Sequence, residues 1–563
     1  MRSVQVVSTL ERYAFMIAFA IYSLYFSVLL VSAILFSMGF PISRANGVVG
    51  VFMAMAYCAC ARRWYYDGCR MRHFLALVIL VALIVCSALY IAGRFYDISY
   101  DGMCFHQEGI ISLYGGWNPF RDDILQQQFP NVKHMAIVLN CYAKAPWILA
   151  AAVYKVTGSI EHGKAINLLL IGASGLLAFS ALRTIKELNM FQVVLLSVVC
   201  ALCPIAVVQC LGYYVDGQLY ALLVSFLAVA YIVCHRPDRY ALFLLIMVIG
   251  IATNIKMSGV LYIGFFSLAL AIFLLIKGKI MLLKKVLISL LIGGAVGICV
   301  VGYNPYVRNT LSYGHPFYPL SEKGSALMEY RGPRNFGDHG NITNFFLSNF
   351  VASDHTWETS GKIKLKTPFT FSKGELSVFI IPDTTIGGFG PLWGGAILLT
   401  AVTFLILLML DCQKALVGTY IIAIILISIL GKPYAWYARY NPHFWMVPVV
   451  VILMSFTIEN SFARALGYSL AAVLLVNVSL IVTQYIPFQL TQNRNIRRAF
   501  REIAQLPSPV KVYLSVFRTQ RLRFQKAGIQ YEEVFKPEDL PCQNPLRIDC
   551  MDSTVCPGKG NRT

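Results

Sequence analysis

Charge is what this chain has least of. Only 13% of its 563 residues are charged, against about a quarter in ordinary soluble domains. Hydrophobic residues make up 58%, and the mean hydropathy is +0.65. This shortage excludes a water-soluble globular protein and fits a polytopic membrane protein. Acidic residues are the scarcer sign, 27 against 47 basic ones, so the formal charge is +20. The basic excess lies in short loops between apolar runs and in the C-terminal tail, where it sets orientation and meets anionic headgroups. It is therefore read as membrane charge, and no nucleic-acid partner is expected. No cleavable leader is expected, because the first apolar run, Tyr13 to Met38, is too long and has no small-residue cleavage site. Most of the 15 cysteines sit in or beside apolar runs as small hydrophobes, and Cys58-x-Cys60 lacks redox or zinc spacing. Cys104, Cys141, Cys542, Cys550 and Cys556 lie in polar segments and could form disulfides in an oxidising compartment.

What is present is a series of apolar runs near membrane length. They fall at about 13–38, 46–61, 74–93, 164–182, 190–208, 217–234, 240–253, 257–276, 284–303, 393–410, 415–430, 443–458 and 465–487, about thirteen in all. Those at 240–253 and 415–430 are short. Arg62, Arg63, Arg70, Arg72, Arg183, Lys186, Arg236, Arg239, Lys277, Lys279, Lys284 and Lys285 all fall on one side when the runs alternate, which assigns that side and the N-terminus to the cytoplasm. Three long polar segments then face outward: about 94–163, 304–392 and the tail from about 488. The expected organisation is a membrane module over 1–487 and a small extracytoplasmic domain over 488–563.

The first outer loop opens on Tyr96-Asp97-Ile98-Ser99-Tyr100-Asp101-Gly102-Met103-Cys104-Phe105-His106-Gln107-Glu108, which gathers acids and a histidine at the end of an apolar run. Such groups are expensive beside a bilayer and mark function by default. Asp101 is the leading candidate for a general base, with helix capping as the structural alternative. Gly102 would let a substrate approach the backbone. Asp97 could orient substrate or pair with Arg94. His106 and Glu108 could touch substrate or be satisfied loop residues, and Lys133, His134 and Lys144 could meet a phosphate or stay solvated. Gly109 to Tyr114, ended by Gly115-Gly116, reads as an amphipathic helix. Pro146 to Val156, with Trp147 and Tyr154 as aromatic anchors, reads as a helix lying along the bilayer surface.

Further along, Asp216 in Tyr213-Tyr214-Val215-Asp216-Gly217 could serve an acceptor site or cap a span. Lys256, in an outer turn, could bind a lipid phosphate as a point charge or snorkel to the interface. Arg439 in Trp436-Tyr437-Ala438-Arg439-Tyr440-Asn441-Pro442 could grip a phosphate bidentately, or anchor the belt its aromatics suit. Arg308 and His315 are weaker candidates of the same kind. Gly387-Gly388-Phe389-Gly390-Pro391 reads as a tight turn, and Asn341-Ile342-Thr343 matches an N-glycosylation sequon. In the tail, strands are expected over 510–516 and 531–535 and helices over 497–506 and 519–527, a small α/β appendage.

An outward Asp after an early span, a surface loop with Gly-Trp-Asn-Pro and many further spans resemble the GT-C glycosyltransferases. Thr253-Asn254-Ile255-Lys256-Met257-Ser258 resembles the Thr-x-x-Lys-x-Ser turn of protein-mannosyltransferase-like members. Asn304-Pro305-Tyr306-Val307-Arg308 with Gly314-His315-Pro316-Phe317-Tyr318-Pro319 resembles a second segment of theirs. The likeness covers roughly 74–450, and it also takes in aminoarabinose-transferase-like members. It departs from the family in placing the Asp after the third span, not the first. It implies an all-α polytopic GT-C-like membrane protein that transfers a sugar, with inversion, from a polyprenyl-phosphate donor to a cell-surface glycan or lipid acceptor. The site would face the periplasm or exterior of a multi-pass protein of a bacterial inner membrane. Asp101 would be the base, and Arg439 with Lys256 would hold the phosphate. The acids would accommodate a divalent cation, though no ligand spacing demands one. The alternative from another class is a lipid or glycan transporter or flippase. That reading expects mid-span charges and repeats, whereas these acids sit at span ends and no repeat is evident.

Overall fold

A computed structural model describes residues 9–65, 71–129, 132–321, 336, 339–355, 365–548 and 551–558. Among these, ten helices are long and apolar enough to cross a membrane: Leu10–Met38, Arg44–Arg62, Met71–Arg94, Ile160–Leu182, Asp216–His235, Met257–Ile276, Ile280–Val301, Trp393–Leu410, Cys412–Leu430 and Ser461–Ile503. The other three expected runs are helical but short, at Met190–Ala201, Arg239–Ala252 and Pro442–Thr457. The breaks have local causes. Met190–Ala201 stops three residues before Pro204, which begins a separate helix, Pro204–Gln209. Arg239–Ala252 stops where the Asn254 amide turns back to the carbonyls of Gly250 (2.9 Å) and Gly297 (2.6 Å). Twelve residues of helix span only about 18 Å, well short of a hydrocarbon core.

The two ends of the bundle differ in chemistry. At one end Arg236 lies 3.6 Å from Glu11, Lys279 donates to the Cys234 carbonyl, Tyr240 donates to the Cys60 carbonyl and Tyr13 meets His73. Helix starts at Asn189, Asp238, Asp411 and Asn460 are each capped by their own side chain. The 20-residue helix Asp216–His235 carries the chain about 30 Å to the opposite end. There Asp216 is the first helical residue, Val215 is an N-cap with no capping side chain, and Gln209 Oε1 accepts from Gly217 N at 2.8 Å in its place. The Asp216 carboxylate is thereby left for other partners.

The first loop is more deeply embedded than a surface-lying loop would be. Helix Gln107–Tyr114 ends at Gly115, followed by Gly116 at a φ of 109° that favours glycine, and Met135–Cys141 meets Ala145–Thr157 at a bend of 91°. Trp147 is not a lipid anchor: it is fully buried and its indole N–H donates to His106 Nδ1 at 2.8 Å. A buried indole needs such a partner. Tyr154 stacks on Tyr114 with centroids 4.1 Å apart.

The tail forms a four-stranded sheet in the order β2-β1-β4-β3. Its strands are β1 (Val510–Tyr513), β2 (Tyr531–Val534), β3 (Leu546–Ile548) and β4 (Ser553–Cys556). β1 and β2 run parallel, as expected for strands joined across helix Arg521–Lys526. The expected helix over 497–506 is the end of Ser461–Ile503, a 43-residue helix whose Ile496, Phe500 and Ile503 enter the sheet's apolar core. Cys542 bonds Cys556, Cys550 lies outside the described residues, and Cys141 is a buried free thiol. The module seats on the first loop. Met103 joins its core, Thr519 donates to the Met103 carbonyl at 2.8 Å, and Arg521 forks onto both oxygens of Glu108 at 2.5 and 2.8 Å.

Candidate functional site

Asp101 does not cap a helix. It sits in helical conformation just before a π-helical turn, Gly102–His106, and makes no capping bond. Its carboxylate instead reaches across the molecule to Arg439, with Nη1 at 2.7 Å from Oδ2. The same Nη1 lies 3.8 Å from Asp216 Oδ2, and Arg439 Nε lies 2.9 Å from Asp383 Oδ1 without hydrogen-bond alignment. Asp216 is also bound by Lys256 Nζ at 2.8 Å and Gln209 Nε2 at 3.2 Å. Tyr437 donates to Asp383 Oδ1 at 3.0 Å. The Arg439 guanidinium lies 4.9, 5.7 and 5.4 Å from the rings of Tyr214, Tyr437 and Tyr440, and Lys256 Nζ lies 4.4 Å from that of Tyr440.

Three carboxylates and two cations therefore meet from five separated segments, walled by tyrosines. Asp216, Asp383 and Arg439 are buried, while Asp101 keeps 15% of its side chain exposed. Asp101 is thus the acid of the three that an entering molecule can reach. Burial pushes the Asp383 carboxyl upward, Arg439 opposes this, and the charge of Asp101 adds to it. Among the described residues the second oxygen of Asp383 has no hydrogen-bond partner. Sequence reading missed Asp383, which lies in Pro382-Asp383-Thr384 just before the glycine-rich turn. The available signal was an acid at a membrane re-entry point, the same signal that selected Asp101. Asp216, Lys256 and Arg439 had been selected one by one, and here they share contacts.

The remaining candidates lie apart or serve the scaffold. Asp97 is fully buried. Its Oδ1 accepts from Ser99 N and Oγ at 2.9 and 2.6 Å, and its Oδ2 from Gln107 Nε2 at 2.9 Å. The Asp97 backbone is held by Glu161 and Arg523, so Arg94 is not its partner. Burial raises the Asp97 carboxyl, partly opposed by Lys164. Gly102 serves this carboxylate and not a substrate: a Cβ there would sit 2.0 Å from Asp97 Oδ2. Lys144 directs its ammonium at the carbonyls of Asn140 and Tyr142 and at Asn304 Oδ1, within 2.9 Å of each. Arg308 staples the first loop through the carbonyls of Pro119 and Asp122 and the carboxylate of Asp123. Neither makes a direct contact with the Arg439 cluster among the described residues. Lys133 and His134 are exposed. The sequon's Asn341 donates to the Lys432 carbonyl and accepts from Ala435 N, so its amide ties a turn in place.

His106 lies beside the cluster, buried against Phe105, Tyr142 and Trp147. Burial pushes its imidazole down to about 4, against a pull upward from Asp101 and Asp216. The neutral ring accepts the Trp147 proton, which an imidazolium could not do. Because the folded value lies below the usual 6.5, the unfolded chain binds the proton first as pH falls. The His106 contribution is complete above pH 6.5 and is lost progressively down to about pH 4. Exchange protection of the 102–114 amides should fall across that window, and His106→Gln should flatten the dependence. An unchanged slope in that variant would show that other groups carry it.

No set of three or more His, Cys, Asp or Glu side chains among the described residues is placed to hold a metal ion, so the acids here are balanced by Arg439 and Lys256. The chain matches no family model, no curated protein and no solved structure, and its chemistry is read from this cluster itself.

Proposed function

We propose that this chain is a GT-C-like membrane glycosyltransferase of inverting type. It moves a sugar from a polyprenyl-phosphate donor to a glycan or lipid acceptor at the outer membrane face. The observation that carries the reading is the convergence of Asp101, Asp216, Asp383, Lys256 and Arg439 at one end of an apolar bundle. Gathering charges there has a desolvation cost that a purely structural role does not require. The basic loops at the far end support an outward-facing site, and the partial exposure of Asp101 supports its access to an acceptor.

In this mechanism the acceptor hydroxyl gives its proton to the Asp101 carboxylate as its oxygen attacks the anomeric carbon. The carbon–oxygen bond to phosphate breaks with its electron pair leaving on the phosphate. Arg439 and Lys256 stabilise that growing charge. The Arg439–Asp101 contact is the resting arrangement, and an incoming phosphate competes for the guanidinium and frees the base.

The test is transfer of labelled sugar from a polyprenyl-phosphate donor by purified protein. Asp101→Asn keeps the shape and one hydrogen-bond acceptor for Arg439 but cannot take a proton. We expect kcat to fall by roughly 10²- to 10⁴-fold, the usual weight of general-base catalysis, with the thermal midpoint little changed. A folded Asn variant with full transfer rate removes Asp101 as the base. Donor translocation without transfer in the wild type would favour a flippase.

A further inference from the structure

Among the cations at this end of the bundle, Lys432 is set apart by its surroundings. Arg439 has Asp101 and Asp383, and Lys256 has Asp216. Among the described residues Lys432 has no carboxylate at ion-pair distance; its ammonium donates only to the Tyr440 carbonyl, at 2.9 Å. Nζ lies 5.0 Å from the Tyr262 ring and 6.0 Å from the Tyr440 ring, and Lys256 Nζ stands 4.4 Å from that same Tyr440 ring. Two ammonium groups thus share one tyrosine. The site is also built to last: Tyr262 donates to the Tyr440 carbonyl at 2.5 Å, and Asn341 holds the Lys432 backbone from the second loop.

An ammonium carries three donors, and only one is engaged here. A half-buried cation beside a like charge is costly unless an anion joins them. We propose that Lys432, with Lys256, forms an anion subsite for a phosphate monoester, the isoprenyl phosphate that leaves the membrane-borne donor when its sugar is transferred. The inference rests on the glycosyltransferase reading for its choice of ligand. Lys432 follows directly on the apolar helix Cys412–Leu430, which places the subsite at the membrane boundary where a lipid phosphate resides. The division of labour follows from the charges. The paired Arg439 meets the charge that grows as the bond breaks, and Lys432, which has no carboxylate partner among the described residues, holds the released phosphate.

Titration supplies a signature that a structural lysine would not show. Burial and then the charge of Lys256 push the Lys432 ammonium down to about 7, with Asp216 opposing. The groups facing it are Lys256, Asp216, Tyr262, Tyr440 and His443, and only the Asp216 carboxylate favours the charged form. A phosphate monoester is a dianion above pH 7 and recharges the lysine when it binds. Affinity should therefore fall roughly fivefold between pH 7 and pH 8 as the free lysine loses its proton.

The experiment is calorimetry on the full chain in detergent with three probes: a short isoprenyl monophosphate, the matching isoprenyl alcohol and inorganic phosphate. Lys432→Met should weaken the isoprenyl monophosphate at least tenfold and leave alcohol binding unchanged. Lys432→Arg should restore affinity and abolish the pH slope, because guanidinium stays charged. Thermal midpoints of both variants report folding. Unchanged affinity in a folded Lys432→Met protein overturns the subsite, as does a wild type that binds neither phosphate. Inorganic phosphate binding as tightly as the isoprenyl ester, and lost in the Met variant, retains an anion subsite and overturns its lipid ligand. Lys432-dependent binding in a wild type with no transferase activity leaves the subsite standing while the glycosyltransferase reading fails.

Discussion

Arg439→Met should destabilise the folded protein by about 3–5 kcal/mol, the penalty for leaving buried charge without its partner. Sugar transfer should be lost as well. The guanidinium is the cation nearest Asp101 and Asp383 and supports Asp216 from 3.8 Å. Asp383 and Asp216 expose at most 2% of their side chains, so water cannot replace it. Arg439→Lys should not rescue, because one ammonium cannot present Nη1 to Asp101 and Nε to Asp383 at once. Asp383→Asn in the Arg439→Met background should recover part of the lost stability, since it removes one of the orphaned charges. Thermal unfolding in detergent across this double-mutant cycle measures the coupling. If the double variant is no more stable than Arg439→Met alone, Asp383 does not depend on that guanidinium.

Gly102→Ala should also have a large effect, on activity more than on stability. The added Cβ would stand 2.0 Å from Asp97 Oδ2 and 2.3 Å from Ser99 Oγ. Both are side-chain ends, but neither is free to turn aside: Asp97 is fixed by Ser99 and Gln107, and it is fully buried. Displacing the carboxylate from these bonds costs about 1–3 kcal/mol, the usual penalty for an orphaned buried acceptor. The backbone shift is passed to Asp101, the adjacent residue. A misplacement of about 1 Å at a reacting group can lower turnover 10²-fold. Gly172→Ala is the control, since a Cβ there meets nothing within 4 Å and the residue lies inside helix Ala165–Leu182. The two variants compared in the transfer assay test the claim. Equal activity would mean that the Asp97 shell does not position Asp101.

Much of the architecture was legible because hydropathy is local. A run of apolar residues must either cross a membrane or be buried, and every expected run is helical. Length was harder to read, because Pro204 and Asn254 end helices through contacts that a hydropathy window does not register. The tail's first two strands and its helix showed in alternation and spacing. β3 and β4, three and four residues long, are set by pairing across the sheet. The role of Trp147 was misjudged for a similar reason. An aromatic near an apolar helix looks like an interfacial anchor until His106, 41 residues away, is found to accept its proton.

For the site itself, the sequence alone determined that acids and cations collect at the ends of apolar runs. Lipid excludes them from the interior of those runs. It also placed Asp101, Asp216, Lys256 and Arg439 in loops of one expected side. Only the tertiary structure decided which of them meet. Asp101 and Arg439 are 338 positions apart, and no periodicity links them. Asp97 and Asp101 are four residues apart and chemically identical. One is sealed beneath Gly102 with every oxygen engaged, and the other stays part-exposed against a guanidinium. That difference comes from the packing of the C-terminal module and the distant loops around a short π-helical turn, which composition and spacing do not encode.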